Sequence, residues 1–363
     1  MNLNTDTLSE KIGQIVDPDL DTTLTELKAI KNISIDGDKV KVELELIQPF
    51  QLIADSIKEA CEGVIAEVDP AAKTEIIISE QNGEYVDRKV LPTVKNIIAV
   101  SSGKGGVGKS SIAANLAVSL SKTGAKVGIL DADVYGPSQP TMFGNAGGKL
   151  EAEENESGDT KAIPLVAHGI KIASMGYIMK DGQAAIVRGP MLAQYFTMLV
   201  EQVKWDDLDY LVLDLPPGTG DIQLTMTQKI PLTGAVIITT PQEIAVVDVR
   251  RSIAMFQKVN VDILGIVENM SYFTPPELPD NKYYIFGNGG GRQVAEQNSV
   301  AFLGEIPIDP ALREAADSGT PLVLSAPDSK QSEALNELAH KTIVSIRKHH
   351  YNNAIYPDME ITM

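Results

Sequence analysis

The sequence predicts an α/β protein: a mostly parallel sheet flanked by helices, preceded by a small α+β domain. Three observations carry that expectation. From Lys95 onward, short apolar runs rich in Val and Ile alternate with helical stretches, the pattern of strands joined by helical crossovers. Before that point, strands and a helix are segregated rather than alternating. Between the two, Arg88-Lys89-Val90-Leu91-Pro92-Thr93 has the composition of a linker. The chain therefore divides into residues 1–90, residues 95–350 and a tail, 351–363.

In the first part, Val40-Lys41-Val42-Glu43-Leu44-Glu45-Leu46 alternates apolar and polar residues, the mark of a half-buried strand. Asp36-Gly37 ahead of it predicts a tight hairpin turn. Residues 52–64 carry apolar side chains at helical spacing, and residues 74–78 read as a further strand. In the second part, strands are expected at 97–100, 127–130, 210–213, 235–239, 263–267 and 301–303. Helices are expected at 109–122, 191–203, 222–228 and 245–258. Sheets of this kind bind ligands outside the carboxyl ends of their strands. Residues 144–161, with Gly147-Gly148 followed by Glu-Ala-Glu-Glu-Asn-Glu-Ser-Gly-Asp, read as a mobile acidic loop, and 332–348 as a helix.

Composition narrows the function classes. Apolar residues at 43% and charged residues at 22% of 363 are ordinary for a globular protein. The net charge of −18 disfavours nucleic acid and anionic membrane as partners, since both require positive potential. The N-terminal residues lack the basic-then-apolar pattern of a secretory signal, and no apolar run approaches the roughly 18 residues of a membrane span. A cytoplasmic location is expected. One cysteine, Cys61, excludes an intrachain disulfide; its place in an amphipathic helix predicts a packed core thiol. Of the four histidines, His168, His340, His349 and His350, only the last two adjoin, and neighbours on a helix are expected to point apart into solvent.

The chemistry concentrates after the first large-domain strand. Gly103-Lys104-Gly105-Gly106-Val107-Gly108-Lys109-Ser110 matches G-x-x-x-x-G-K-[ST] with a strand entering and a helix leaving. Glycines let backbone N–H groups curl around an anion, and the helix N-terminus presents about half a positive charge. This is a P-loop, and Gly103 to Ser111 are expected to hold the phosphates of ATP. Lys109 is expected on the β/γ-phosphates and the Ser110 hydroxyl on Mg2+. Asp214, at the end of an apolar strand, is the carboxylate expected near that metal. Asp131 and Asp133 follow another strand in the same way, and spacing leaves open which one handles the attacking water.

The residues beyond the loop resemble a known family. Lys104 completes the K-G-G-x-G-K-[ST] signature of the deviant-Walker class, which includes ParA/MinD-type ATPases and the nitrogenase iron protein. Asp131-Ala132-Asp133-Val134-Tyr135-Gly136-Pro137-Ser138, Arg188-Gly189-Pro190-Met191 and Asp214-Leu215-Pro216-Pro217-Gly218-Thr219-Gly220-Asp221 narrow the resemblance. So do Thr239-Thr240-Pro241-Gln242, Glu268-Asn269-Met270-Ser271 and Ile285-Phe286-Gly287-Asn288-Gly289-Gly290. Over roughly residues 95–325 the chain resembles the Mrp/ApbC-type iron–sulfur cluster carrier ATPases, and its first part the MIP18-like domain fused to many of them. The resemblance implies an ATP-hydrolysing homodimer acting on apo iron–sulfur proteins or with assembly factors. It implies that Lys104 reaches the partner subunit's nucleotide and that Asp133 handles the water. It further implies that 216–221 is a γ-phosphate-reporting switch and that Asn269 contacts adenine.

One departure bears on cargo. The family carries Cys-x-x-Cys shortly after Glu-Asn-Met-Ser, and those positions here are Pro275 and Leu278. A four-iron cluster takes about four thiolates. Glu277, Asp280, Tyr283 and Tyr284 lie nearby, but oxygen ligands suit such clusters poorly. Three outcomes stay open: other ligands or a partner's thiols, an ATPase role in assembly without carriage, or a diverged function. A nucleotide-switched positioning ATPase acting on membrane or DNA is the alternative from another class. The charge of −18 and a tail that is neither basic nor amphipathic weigh against it.

Overall fold

The computed structural model describes residues 4–81, 89–154, 160–178 and 189–355. The chain forms two units, residues 1–86 with 343–363, and residues 87–342.

The smaller unit opens with α1 (Thr5–Gly13), whose first turn is capped by Asn4 accepting the Asp6 amide at 2.8 Å. Two short strands, β1 (Val16–Asp17) and β2 (Thr22–Thr23), pair antiparallel. Next, β3 (Ile30–Asp36) and β4 (Lys39–Leu46) form an antiparallel hairpin whose turn places Gly37 at φ +62°. Glycine tolerates that left-handed conformation without a Cβ clash. Helix α2 (Ala54–Val68) then crosses over to β5 (Lys73–Glu80), which lies parallel to β4. Alternation along β4 buries Val40, Val42, Leu44 and Leu46, and α2 contributes Ile57, Cys61 and Ile65 at four-residue spacing to the same core.

The larger unit begins with β6 (Val94–Ser102), α3 (Lys109–Ser121), β7 (Val127–Asp131) and the short α4 (Gln139–Met142). There follow β8 (Glu151–Glu154), β9 (Thr160–Ile163), β10 (Leu165–Ala167), β11 (Ile170–Ser174) and α5 (Gly189–Glu201). Then come β12 (Leu208–Asp214), α6 (Asp221–Lys229), β13 (Gly234–Thr239), α7 (Glu243–Lys258), β14 (Ile263–Phe273) and α8 (Gly290–Gln297). The chain finishes with β15 (Phe302–Ile308), α9 (Pro310–Ser318), α10 (Leu322–Ser325) and α11 (Lys330–Ile355). Eight strands form one sheet in the order β10-β11-β7-β12-β6-β13-β14-β15, parallel except for β10 against β11. The strands β7 and β13 are buried along their whole length, as expected for a sheet covered on both faces. The chain leaves β6 toward β7 on one side and later returns to β13 on the other. The loop after β6 therefore opens at a switch in winding direction, where doubly wound sheets bind ligands.

Several sequence expectations are corrected here. Residues 151–154 and 160–163 pair as an antiparallel ladder, although all but 162 and 163 fall in the expected loop; 155–159 lie outside the described residues, as does Arg188. The ladder escaped notice because its first strand, Glu-Ala-Glu-Glu, is exposed throughout and carries no apolar face. The antiparallel edge strand β10 was too short to read. Helix α11 runs to Ile355, beyond the expected end at 348, and its residues from 343 onward belong to the smaller unit instead of the domain ending at 350. The reason is Arg347, which is fully buried within that unit. Its guanidinium donates to both Asp17 carboxylate oxygens at 2.9 and 2.6 Å, to Asp19 at 2.6 Å and to the Ile47 carbonyl at 3.1 Å. Burying a guanidinium is tolerated only with such complete pairing. His349 and His350 do not point apart into solvent: both are half-buried, and their rings meet edge to face at 5.4 Å.

Candidate nucleotide site

Strand β6 delivers the chain into the 103–108 loop, and Gly108 in a left-handed conformation (φ +82°) turns it into α3. A Cβ on Gly108 would sit 2.2 Å from the Asn269 side-chain nitrogen, and one on Gly103 would sit 2.5 Å from the backbone of Asp248. Glycine is therefore required at Gly103 by the close approach of backbone and at Gly108 by its backbone angle. Asn269, buried on β14, donates its amide to the Val107 carbonyl at 2.8 Å. Ser102 donates its hydroxyl to the Lys104 carbonyl at 2.9 Å. The loop is thus held from both flanks.

Beneath it lies a buried polar layer. Parallel register sets Asp214, the last residue of β12, opposite Asp131, the last of β7. Asp214 is fully buried; one oxygen pairs with the Lys109 ammonium and the other accepts from Gln139 Nε2 at 2.8 Å. Lys109 Nζ also lies 3.3 Å from Ser110 Oγ, and Gln139 Nε2 reaches the Ser110 carbonyl at 3.1 Å. Asp131 is equally buried but does other work. It accepts from the Ser138 and Gln139 amides at 2.9 and 3.0 Å, from Ser174 Oγ at 3.0 Å and from the Asp133 amide at 3.2 Å. Burial and the neighbouring Asp214 carboxylate hold Asp131 above the usual carboxylate range. Asp133, half-exposed, accepts the Tyr135 and Gly136 amides at 3.2 Å.

A cavity of about 250 Å³ opens above this layer. Gly105, Gly106, Gly108, Lys109, Ser110 and Ser111 line it together with Asp133, Ser138, Met142, Ser102 and Pro217. Of the residues read from sequence, Gly103, Lys104, Val107, Asn269 and the fully buried Asp214 do not line it, and Asp131 is an anchor for the 133–139 segment beneath it. The 216–220 turn is fastened to the end of β6 by the Gly218 amide donating to the Ser102 carbonyl at 2.8 Å. The donors present (amides, an ammonium, hydroxyls and carboxylates) suit phosphates and a hard cation such as Mg2+. Ser138 Oγ, buried and on the lining, has no hydrogen-bond partner among the described residues, as expected where a ligand completes the shell.

Sequence reasoning passed over Ser138, Gln139 and Ser102. Gln139 stands one residue past the recognised motif, and a glutamine before proline gives no distinctive signal. Glu268 was also missed as a structural residue: its carboxylate accepts the Gly291 amide at 2.6 Å and the Ser271 hydroxyl at 3.0 Å, capping the start of α8.

The segment after β14 is built differently. Phe273 and Tyr283 exchange backbone hydrogen bonds at 2.9 and 2.8 Å, closing a loop that contains Pro275 and Leu278. Lys282 lies over the Tyr272 ring at 3.9 Å, and Tyr284 meets that ring edge to face. Among the described residues no group of three or more His, Cys, Asp or Glu side chains is placed to hold a metal ion. Cys61 lies in the core of the smaller unit, where burial pushes its thiol up to about 12. These residues do not fit a thiolate-held cluster.

The fold and this site define a P-loop nucleoside triphosphatase. Residues 93–343 match the NUBPL iron-transfer P-loop NTPases, and residues 5–78 match a family described as iron–sulfur cluster assembly protein. An iron–sulfur cluster carrier protein from Synechocystis is 45% identical over 340 residues, covering 93% of this chain and 96% of its own length. One from Escherichia coli K12 is 44% identical over 333 residues, covering 91% and 89%. A nucleotide-binding protein from Archaeoglobus fulgidus, solved with ADP, shares 38% identity at a TM-score of 0.58, covering 68% of this chain and 93% of that one. The cell division ATPase MinD of Pyrococcus furiosus, at 23% identity and a TM-score of 0.51, shares the fold over 68% of this chain and 97% of its own. The chain belongs to the iron–sulfur cluster carrier family of P-loop NTPases.

Proposed function

We propose that this protein hydrolyses Mg·ATP as a cytoplasmic homodimer and serves iron–sulfur protein maturation without holding a cluster at the usual cysteine pair. The observation that carries the reading is the buried Lys109–Asp214–Gln139–Ser110 network directly under the glycine loop. In it, one ammonium, one hydroxyl and one carboxylate converge where a triphosphate and its cation would sit.

The roles follow from position. Amides of residues 103–111 cradle the phosphates, and Lys109, now on Asp214, turns to the β/γ-phosphates as they arrive. Ser110 and Asp214 would hold Mg2+, which would supply charge neutralisation for the transferring phosphoryl group. Asp133, on the cavity lining, takes by resemblance the role of orienting the attacking water, and Lys104, off that lining, is assigned by resemblance to the nucleotide of a second copy. Asn269 touches the loop at Val107, so its adenine contact is assigned by resemblance alone. Among the described residues no helix is long and apolar enough to cross a membrane.

The test pairs two measurements on the full chain. Phosphate release from Mg·ATP is expected, and its absence in folded protein would remove the enzymatic reading. Anaerobic reconstitution with iron and sulfide is expected to leave no stable visible absorbance; a stoichiometric cluster per dimer would overturn the cargo statement. A Cys61→Ser control separates adventitious thiol binding.

A further inference from the structure

The Gln139 side chain stands where three parts of the nucleotide site meet. It is fully buried at the start of α4, and its backbone amide is held by Asp131. Its two side-chain N–H groups go to Asp214 Oδ2 at 2.8 Å and to the Ser110 carbonyl at 3.1 Å. One amide thus links the strand that carries the carboxylate to the helix that carries the metal-side hydroxyl. Its Oε1 has no partner among the described residues, and the adjacent Ser138 Oγ, on the cavity lining, has none either. A buried oxygen without a partner calls for a water or ion to complete it, and Ser138 Oγ lies where a bound ligand's hydration shell would reach.

We propose that Gln139 is a positioning residue for the divalent cation: it keeps Asp214 aimed once Lys109 has left that carboxylate for a phosphate. The proposal rests on the reading of Ser110 and Asp214 as the metal-side groups. In the present arrangement the Asp214 carboxylate has two partners among the described residues, Lys109 and Gln139. Phosphate takes the first away. The second remains, and because it is also tied to the Ser110 backbone carbonyl it fixes the strand end that carries Asp214 against the helix start that carries the Ser110 hydroxyl. An amide suits this place on charge grounds as well. Asp131 and Asp214 are already buried neighbours in register, and a third carboxylate there would repel both.

The experiment measures affinity for the fluorescent nucleotide mant-ADP as Mg2+ is varied, in the full chain and its variants. Gln139→Met, which keeps the length and removes both donors, is expected to bind mant-ADP without Mg2+ as the parent does. Its half-saturating Mg2+ concentration is expected to rise by about tenfold, the size of a lost hydrogen bond to a charged group. In an Asp214→Asn background the same substitution is expected to add nothing. An unchanged Mg2+ requirement overturns the proposal, as does an equal loss of affinity with and without Mg2+, which marks a merely structural residue. A full additional effect in the Asp214→Asn background also overturns it. If Gln139→Met does not melt cooperatively, Gln139→Asn, whose donors fall short of Asp214, takes its place with the same expected rise. Should Asp214→Asn leave the Mg2+ requirement unchanged, the metal-side reading falls and the proposal with it. Should Asp214→Asn raise the requirement while the Gln139 variants do not, only the assignment of Gln139 falls.

Discussion

Removing the loop lysine should uncouple stability from turnover, in a way that only the observed pairing predicts. Lys109 is 6% exposed and Asp214 0%, so both charges of the pair are out of water. Lys109→Ala leaves the buried Asp214 carboxylate with the Gln139 amide as its remaining partner among the described residues. Breaking a buried pair from one side costs about 3–5 kcal/mol. In a unit of this size each kcal/mol moves the midpoint by roughly 2–4 °C, so the nucleotide-free variant should melt roughly 10 °C below the parent. Adding Asp214→Asn removes the stranded charge, and the double variant should regain most of that loss. Phosphate release should not return, since the ammonium that faces the transferring phosphate is still missing. Scanning calorimetry without nucleotide and a phosphate-release assay read the two quantities separately. Equal melting of single variant and parent would refute the pairing argument, as would a double variant no more stable than the single. Near-normal turnover by either would refute the site.

Three shorter predictions follow from other residues. Lys104→Ala should abolish hydrolysis while leaving mant-nucleotide affinity nearly unchanged, because the lysine lies off the cavity lining of its own chain; equal loss of both would place its contact in its own subunit. Arg347→Ala strands the buried carboxylates of Asp17 and Asp19 and should destabilise the smaller unit by about 3–5 kcal/mol. Hydrogen exchange should then show lost protection in β3–β5 with the larger sheet unaffected, and Arg347→Lys should recover little because it cannot make the two-point contact. Cys61 should resist iodoacetamide at pH 8 until denaturant unfolds the smaller unit, its thiol being buried and raised from 9.0 to about 12. A folded-state value above the unfolded one means this contribution is complete below pH 9 and fades as pH climbs toward 12.

Much of the architecture was legible because it is written in period and composition. The strand at Val40–Leu46 announced itself by strict alternation, and the central strands by unbroken Val and Ile runs that only a two-sided sheet can bury. What escaped has no such local signature. Glu151–Glu154 forms a strand with no buried face at all, held by its ladder to Thr160–Ile163. The end of α11 belongs to the smaller unit through a side chain whose partners, Asp17 and Asp19, lie 330 and 328 residues away. No window along the chain contains that pairing.

The site divides along the same line. The loop could be read because a phosphate cradle demands a contiguous run of glycines, a lysine and a hydroxyl, and contiguity is what sequence displays. The two carboxylates at and just past the end of β7 could not be ranked by spacing, and they differ in depth. Asp131 spends its oxygens on four donors of its own neighbourhood, whereas Asp133, two residues on, reaches the cavity. Gln139 was invisible for the converse reason. Nothing about a glutamine in a Gly-Pro-Ser-Gln-Pro turn indicates that its amide bridges a strand 75 residues later and a helix 29 residues earlier. The replacement of Cys-x-x-Cys by Pro275 and Leu278, by contrast, could be read only as an absence. The structure supplies what stands there instead: a loop closed by its own backbone pair, with Lys282 over the Tyr272 ring and Tyr284 against its edge. A complete polar network under the glycine loop, beside a segment with proline and leucine where the resemblance expects two cysteines, is what the proposed separation of nucleotide turnover from thiolate carriage requires.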